Sequence, residues 1–564
     1  MKNKSILVVF GEEMPKGDLR SYDMVLSGEE LNKFIGPGSI YEASQFAKEL
    51  SYLKFPDGTR IAKSFIYEGY ELWWIHYNSL STYFCLPYTQ YKKLLSYLGD
   101  FRQVYFYNPP YKSLFAHYLS AYGCEMSVLN KPGFKSLAIL PLGILLQIIL
   151  TLLSLPFLIF QRRRILVFTG DKFEKTKDYD FRMEFVYREL RDRNLPFVEF
   201  IRSLESGKTI LEHFLTRGRP VIYSEAVAFV GKFLSFILGS RHQISKQIER
   251  DPQKQFKILV ATHHLLNVYN DMWAIRIMKW ILRVIGVKSA FFPVALERNF
   301  HAVLGCKLNN VPTVGLLHGA PSKYYNVYDF MPGFDGEKIL TTDKYGLWSD
   351  WWKEYYITNS RAYLPEQLYV SGPMRPLEKQ TNPSTNPGQS NQGPVKVLFI
   401  SEQLAAPYEV LPYLNELLNN REIELSIKFR PTKDGFEEWL LANEPEILED
   451  KNLKILRGSI TDAVKECDAA VGSHSTAVLE ALLEFKIPIF FKTDKWGDCF
   501  NMKDYGTGSP LFAENPGELI KRIKNIPQIS EDNIKELRER YFGDPYQNGS
   551  KWVVDQLEDF LATT

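Results

Sequence analysis

Short apolar runs alternate with amphipathic stretches along most of the chain, and the alternation starts afresh twice. From the N-terminus, SILVVFG, the aromatic YELWWIHY, RQVYFYN and EMSVL read as strands, with helices near Ile40 to Leu53, Gln90 to Leu98 and Leu114 to Ala121 between them. Strands separated by helices specify parallel pairing, because a parallel connection needs a long crossover. The pattern resumes at RILVFTG and the helical FRMEFVYRELRDR, then runs through PFVEFIRS, PVIYSEA, KILVATHH, VKSAFFPVA, PTVGLLHG, KILTTDKYG and QLYVSGPMRP. LEKQTNPSTNPGQSNQGP interrupts it with no apolar period and reads as a flexible linker. A last series follows: KVLFISEQ, the helix EVLPYLNELLNN, ELSIKFRP, LKILRG, the helix ITDAVKEC, DAAVGS, the helix STAVLEALLEF and IPIFFK.

One segment departs from this rhythm. Leu137 to Phe160, LAILPLGILLQIILTLLSLPFLIF, carries no charge and only Gln147, Thr151 and Ser154 as polar side chains. Its length suffices for a bilayer-crossing helix, which needs about 20 residues. Pro141 and Pro156 allow a re-entrant or in-plane element instead. Arg162, Arg163 and Arg164 follow at once, which by the positive-inside bias puts that end in the cytoplasm. A buried core helix is the competing reading, and the missing amphipathic period favours membrane contact.

Length and charge narrow the picture further. With 564 residues the chain exceeds a single core. The pattern divides it into an α/β region over 1–135, the apolar membrane-associating segment over 136–161, a lobe over 162–376, a linker over 377–394 and a second lobe over 395–564. The fold class expected is α/β, with two Rossmann-like doubly wound lobes. A net charge of +2 gives no support to a nucleic-acid partner. Cys85, Cys124, Cys306, Cys467 and Cys499 are scattered and form no CxxC pair, so they read as free thiols in a reducing compartment. The short apolar run of MKNKSILVVFGEE reads as a first strand rather than a signal peptide. No His/Cys cluster has ligand spacing and no DxD stands at a convincing strand end, so no metal is expected. GxGxxG and P-loop motifs are absent, against a dehydrogenase or an NTPase.

The strongest chemical signal is Asp468 to Phe491, DAAVGSHSTAVLEALLEFKIPIFF. A strand ends at Gly472, and Ser473, Ser475 and Thr476 crowd the start of a helix, where unpaired N–H groups and the dipole suit a phosphate. Glu480, four residues beyond Thr476 on the same helix face, is placed to accept hydrogen bonds from ribose hydroxyls. Ser473 as a plain N-cap and Glu480 as a surface residue is the competing reading. In KFRPTKD, Arg430 and Lys433 follow the strand ELSIKF; a guanidinium grips a diphosphate bidentately, although both also read as solvated charges. In TVGLLHGAPSKYY the strand delivers His318 to its tip, and Gly319 lets the backbone pass close to a ligand. Glu297 ends the strand before it, so Glu297 and His318 are expected to project from adjacent strand ends into one cleft. Asp343, Lys344 and Arg375 are lesser cleft candidates. Trp73, Trp74 and His76 read as core or as a sugar-stacking patch.

These elements resemble those of GT-B glycosyltransferases that build surface carbohydrate. The run after Gly472 resembles their donor-nucleotide element, with Lys486 in place of a glycine. KFRP lies where capsule and teichoic-acid-like families carry K-x-HP, with Arg430 in place of the histidine. His318-Gly319 resembles the HG signature of capsule-type Kdo transferases and CDP-glycerol glycerophosphotransferases. Gly372 and Pro373 resemble the hinge entry of that architecture, and YQNGSKWVVDQLEDFL its terminal helix that crosses back to the first lobe.

The resemblance implies a metal-independent, inverting mechanism without a cofactor: a sugar leaves a nucleotide-sugar donor for a surface glycan or lipid-linked acceptor at the cytoplasmic side of the cell membrane. It implies Glu297 as base and His318 as an orienting group, with the roles reversible, and Gly319, Arg430, Lys433, Gly472, Ser473, Ser475, Thr476 and Glu480 around the donor. A CDP-glycerol or ribitol-type phosphotransferase, a nucleotide-sugar 2-epimerase and a non-catalytic glycan-assembly scaffold remain as alternatives.

Overall fold

The structure is a computed structural model. It describes residues 4–563 apart from 12–13, 16–18, 56, 99–100, 110–124, 130–138, 162–163, 172–182, 239–251, 294–298, 322–329, 376–392, 402–404, 431–433, 495–496, 498–511 and 545. The helix expected near Leu114 to Ala121, nearly all of the linker, Glu297 and Lys433 lie outside the described residues.

Three parallel sheets follow one another along the chain. The first has the order Met24–Leu26, Ser5–Val9, Gln103–Tyr107, Glu125–Leu129. The central sheet runs Leu368–Val370, Lys344–Leu347, Thr313–Leu316, Ser289–Phe292, Ile165–Gly170, Phe197–Arg202, Val221–Tyr223. The third runs Leu453–Leu456, Ile423–Lys428, Val395–Ile400, Ala469–Gly472, Ile487–Phe491, Phe512–Ala513. The central and third sheets each start in the middle, wind to one edge, then return and wind to the other. This is the doubly wound, Rossmann-like order expected, and its reversal leaves a crevice at the strand carboxyl ends. Strands such as Ser289–Phe292, Thr313–Leu316 and Ala469–Gly472 are buried at every residue, because helices cover both faces.

Three segments differ from the sequence expectation. KILVATHH lies inside the helix Pro252–Ile285. Its apolar residues look strand-like in a short window, but Phe256, Val260, Ala261, Leu265 and Val268 are buried at helical spacing. YELWWIHY contributes the 3₁₀ helix Leu72–His76, with Trp73 and Trp74 in the core. After KILTT the strand is Lys344–Leu347 instead.

The apolar segment forms the helix Ile139–Gln161, continuous through Pro156. It lies against the outer edge of the central sheet. In a parallel edge strand alternate N–H groups point away from the neighbouring strand, and here those of Val221 and Tyr223 find acceptors on the helix: Ser154 Oγ at 3.2 Å and Thr151 Oγ1 at 3.1 Å. Gln147 Nε2 donates to the Ser203 carbonyl at 3.2 Å. The only polar side chains of the apolar run are therefore all turned inward.

The sheets are tied together at several points. The terminal helix Gly549–Thr563 packs across the central sheet: Val553, Val554 and Leu557 share a core with Ile165, Phe291 and Val314. Gly372, at φ +80°, and Pro373 pass close to the start of that helix, where Gly549 N–H donates to the Pro373 carbonyl at 2.9 Å. Trp352 Nε1 donates to the Tyr541 carbonyl at 2.8 Å and Trp348 stacks on Phe542. The first region docks on the central lobe through a Lys257–Glu49 ion pair from the helix Ser39–Ser51 and a Lys279–Glu68 pair from the turn between Ile66–Tyr67 and Tyr70–Glu71, and touches the third sheet's loops where Gly38 N–H meets the Asp494 carbonyl.

Candidate functional site

On the third sheet, the carboxyl ends of Val395–Ile400 and Ala469–Gly472 flank the point where the strand order reverses. Asp434 organises the neighbouring tips. Its carboxylate caps the helix Gly435–Asn443 by accepting from the N–H groups of Phe436 and Glu437, and it also accepts from Ser401 Oγ at 2.9 Å and from Arg430 N–H at 2.9 Å. The Arg430 backbone is thus fixed while its side chain is exposed. Lys428, two residues earlier at the end of its strand, is buried and donates to the Phe429 carbonyl at 2.9 Å; loss of solvation holds its amine below the ordinary range.

Beyond Gly472, Ser473 and His474 are buried side by side with Ser473 Oγ 2.7 Å from His474 Nδ1, and the imidazole also reaches Thr493 Oγ1 at 3.4 Å. Ser475 is the N-cap, its hydroxyl accepting from Ala477 N–H. The α-helix that follows is shorter than the sequence pattern indicates: Thr476–Leu479 is a single turn, continued by the 3₁₀ helix Glu480–Glu484. One turn aligns few peptide dipoles, so the macrodipole at this end is weak. Glu480, partly buried, has its carboxyl pushed up by loss of solvation and pulled down by Arg375.

The central lobe presents the opposing tip. Gly315 sits where a Cβ would lie 2.6 Å from Tyr345 Cδ2 and 2.7 Å from Thr342 Oγ1, so only glycine lets these strands pack. Leu317 is pinned on both sides, its N–H donating to the Gly346 carbonyl and its carbonyl accepting from Trp348 Nε1 at 2.8 Å. His318 and Gly319 follow this fixed point. The next residue makes the decisive contact: Ala320 N–H donates to Thr476 Oγ1 at 3.0 Å. The strand tip bearing His318 and the turn after Gly472, more than 150 residues apart and on different sheets, meet directly.

The remaining candidates separate. Asp343 and Lys344 lie at the amino end of their strand, away from this junction. Asp343 accepts from Thr313 N–H at 2.8 Å and pairs with Lys307 at 2.7 Å, while Lys344 bonds Gln556 of the terminal helix. Trp73 and Trp74 are core residues, and His76 pairs with the buried Asp271. The sequence reading did not single out His474, nor a cluster at the carboxyl end of Ile165–Gly170. There Asp171 accepts from Ser203 Oγ at 2.6 Å and contacts His213 Nδ1 at 3.0 Å and Arg217 Nη1 at 3.2 Å. The Gly-Asp at that strand tip was the available signal; its partners come from two other elements. Among the described residues no three His, Cys, Asp or Glu side chains are grouped to hold a metal ion. Cys85, Cys306 and Cys467 are buried free thiols.

Fold and junction together define a two-lobed α/β protein whose doubly wound sheets confront each other at their strand carboxyl ends. No protein-family profile matches the chain, and no curated protein matches it. Among solved structures it is similar, over 71% of its length and 98% of theirs, to a complex of S. aureus MnaA with UDP, at 11% identity and a TM-score of 0.42. It is similar over 70% of its length to 98% of the glycotransferase of kitacinnamycin, at 9% identity and a TM-score of 0.42. MurG of Acinetobacter baumannii is matched over 70% of this chain and 99% of its own, at 12% identity and a TM-score of 0.38. At that similarity the fold rests on the strand order of the chain itself, and no activity is carried over.

Proposed function

We propose that the chain is a GT-B glycosyltransferase that moves a sugar from a nucleotide-sugar donor to a surface-glycan or lipid-linked acceptor at the cytoplasmic face of the cell membrane. The observation that carries this reading is the Ala320–Thr476 contact, which brings the His318-Gly319 tip to the donor-type turn at a strand-order reversal. In the transfer, the acceptor hydroxyl gives its proton to a base, its oxygen bonds the anomeric carbon, and the bond from that carbon to the donor phosphate breaks. His318 or Glu297 takes the proton. The departing diphosphate gains negative charge, which Arg430 and the hydroxyl-lined turn of Ser473, Ser475 and Thr476 stabilise. Glu480 accepts from the ribose hydroxyls, more strongly when its carboxyl is ionised; Arg375 favours that state and loss of solvation opposes it. Thr476 Oγ1 already accepts from Ala320 in this conformation, so its hydroxyl proton is the part offered to a phosphate oxygen.

A thermal-shift series with UDP, GDP, CDP, CMP and dTDP, followed by their sugar and glycerol derivatives, tests the reading. One nucleotide is expected to raise the melting temperature in proportion to the logarithm of its excess over Kd, and Arg430→Ala to abolish most of that rise. His318→Ala is expected to leave nucleotide binding intact and to lower kcat by roughly 10²–10⁴-fold. If no nucleotide shifts the melting temperature, sugar transfer is the wrong reading. If CDP-glycerol alone is turned over, the phosphotransferase alternative replaces it.

A further inference from the structure

We propose that the helices Ile139–Gln161 and Ser224–Leu238 form one in-plane docking face that seats in the headgroup–acyl boundary of an anionic bilayer without crossing it. This deepens the membrane placement proposed above and does not depend on the nucleotide chemistry.

The first helix is amphipathic in an unusual sense. Its inner face carries Gln147, Thr151 and Ser154, all bonded to the central sheet. Between Leu142 and Phe160 its exposed face is hydrocarbon, with Leu142, Leu145, Leu153 and Phe160 exposed at helical spacing, Phe160 to 87%. Only about a third of the apolar stretch Leu142–Gln161 is buried, so a core-helix role leaves most of it unexplained. A spanning role fails for a different reason. Withdrawing the helix into a bilayer would strip the Val221 and Tyr223 N–H groups of their acceptors and bare the edge of the sheet.

The second helix extends the same surface. It packs close to the helix Pro252–Ile285, where Gly231 leaves no room for a Cβ against Ala274, and Ser235 bonds Asn270 at 3.2 Å. Outward it shows Phe229, Phe233 and Phe236, the last also 87% exposed. Apolar surface of this extent on a soluble protein marks a docking face. A protein partner would call for hydrogen-bonding groups, roughly one per 100–200 Å², and the outer face of the first helix offers none between Leu142 and Phe160. Cations stand at one end instead. Arg164, just past the first helix, accepts through its carbonyl from Lys288 N–H at 2.8 Å, and Arg164, Lys288 and Arg283 are all exposed. Trp280, 56% exposed in the last two turns of the helix Pro252–Ile285, supplies the amphipathic ring that favours the interface. Apolar face, aromatic anchor and basic end are the attributes of a helix lying in an anionic membrane surface.

The test uses the full chain with vesicles of phosphatidylglycerol and phosphatidylethanolamine, and with phosphatidylcholine as the neutral comparison. Co-sedimentation is expected with the anionic vesicles, weakening as salt is raised. The double variant Phe160→Glu, Phe236→Glu is expected to lower the partition coefficient at least tenfold while keeping the wild-type nucleotide response. Single spin labels at Leu142→Cys, Leu153→Cys and Phe160→Cys are expected to report one shallow depth. Labels placed on opposite leaflets would show a span and overturn the proposal. Failure to sediment with either vesicle would also overturn it, as would burial of the labels in a lipid-free dimer, which would make a second copy the occupant. None of these results bears on whether a nucleotide binds, so this proposal and the transferase reading fail separately.

Discussion

Two single residues of the central lobe, Gly315 in the strand Thr313–Leu316 and His301 in the helix Phe300–Lys307, yield measurable consequences. Gly315→Ala forces a Cβ into Tyr345 and the Thr342 hydroxyl; overpacking of this kind costs about 1–3 kcal/mol. A urea titration should show a lower midpoint at unchanged slope, and an unchanged midpoint would mean that the strand approach is looser than the structure indicates. His301 is fully buried, and loss of solvation pushes its pKa down from 6.5 to about 4. Below pH 6.5 the unfolded chain therefore binds a proton that the folded chain resists, and stability falls as the pH drops through that window. This amounts to about 2 kcal/mol between pH 7 and pH 5. His264, pushed down to about 3, adds to the same slope. His301→Gln keeps a hydrogen-bonding group without titrating, and denaturation at the two pH values should show its acid sensitivity reduced by that amount. An unreduced slope would assign the acid sensitivity to other groups.

At the scale of elements, the helix Ile139–Gln161 completes an edge strand while presenting hydrocarbon outward. Thr151→Val with Ser154→Ala preserves the approximate shape but leaves two buried N–H groups without acceptors, at about 1–3 kcal/mol each. Amide exchange at Val221 and Tyr223 should accelerate in this variant; unchanged protection would mean that water reaches the edge and the hydroxyls are dispensable. The turn after Gly472 teaches a related lesson. A helix pattern of full length closes down to one α-turn and a 3₁₀ segment, so the dipole there is weaker than a full helix would supply.

Across the whole molecule, the terminal helix joins the end of the chain to the central sheet. Leu557 is fully buried against that sheet, and the neighbouring Ser289 hydroxyl donates to its carbonyl at 3.3 Å. Leu557→Ala is expected to cost about 2–5 kcal/mol and to lower the unfolding midpoint of the central lobe as well as the third sheet. If calorimetry showed the central lobe destabilised alone, the helix would not couple the two.

The α/β class, the doubly wound order and the strand tips carrying His318 and Gly472 were legible in the sequence because each rests on local information: apolar runs, crossover lengths and glycine at a strand end. KILVATHH was misread for the same reason, since a short window cannot show the helical period that a helix of 34 residues displays. Asp343 and Lys344 were assigned to the wrong end of a strand because the strand begins at Lys344 and not before it. The sequence by itself determined which residues can sit at strand ends and that one helix is too apolar for an ordinary surface. Only the tertiary structure decided that Ala320 touches Thr476, that Asp171 gathers His213 and Arg217, and that three polar side chains hold the apolar helix on the sheet edge. Those contacts join segments far apart in the chain, and their formation depends on packing that no local propensity encodes.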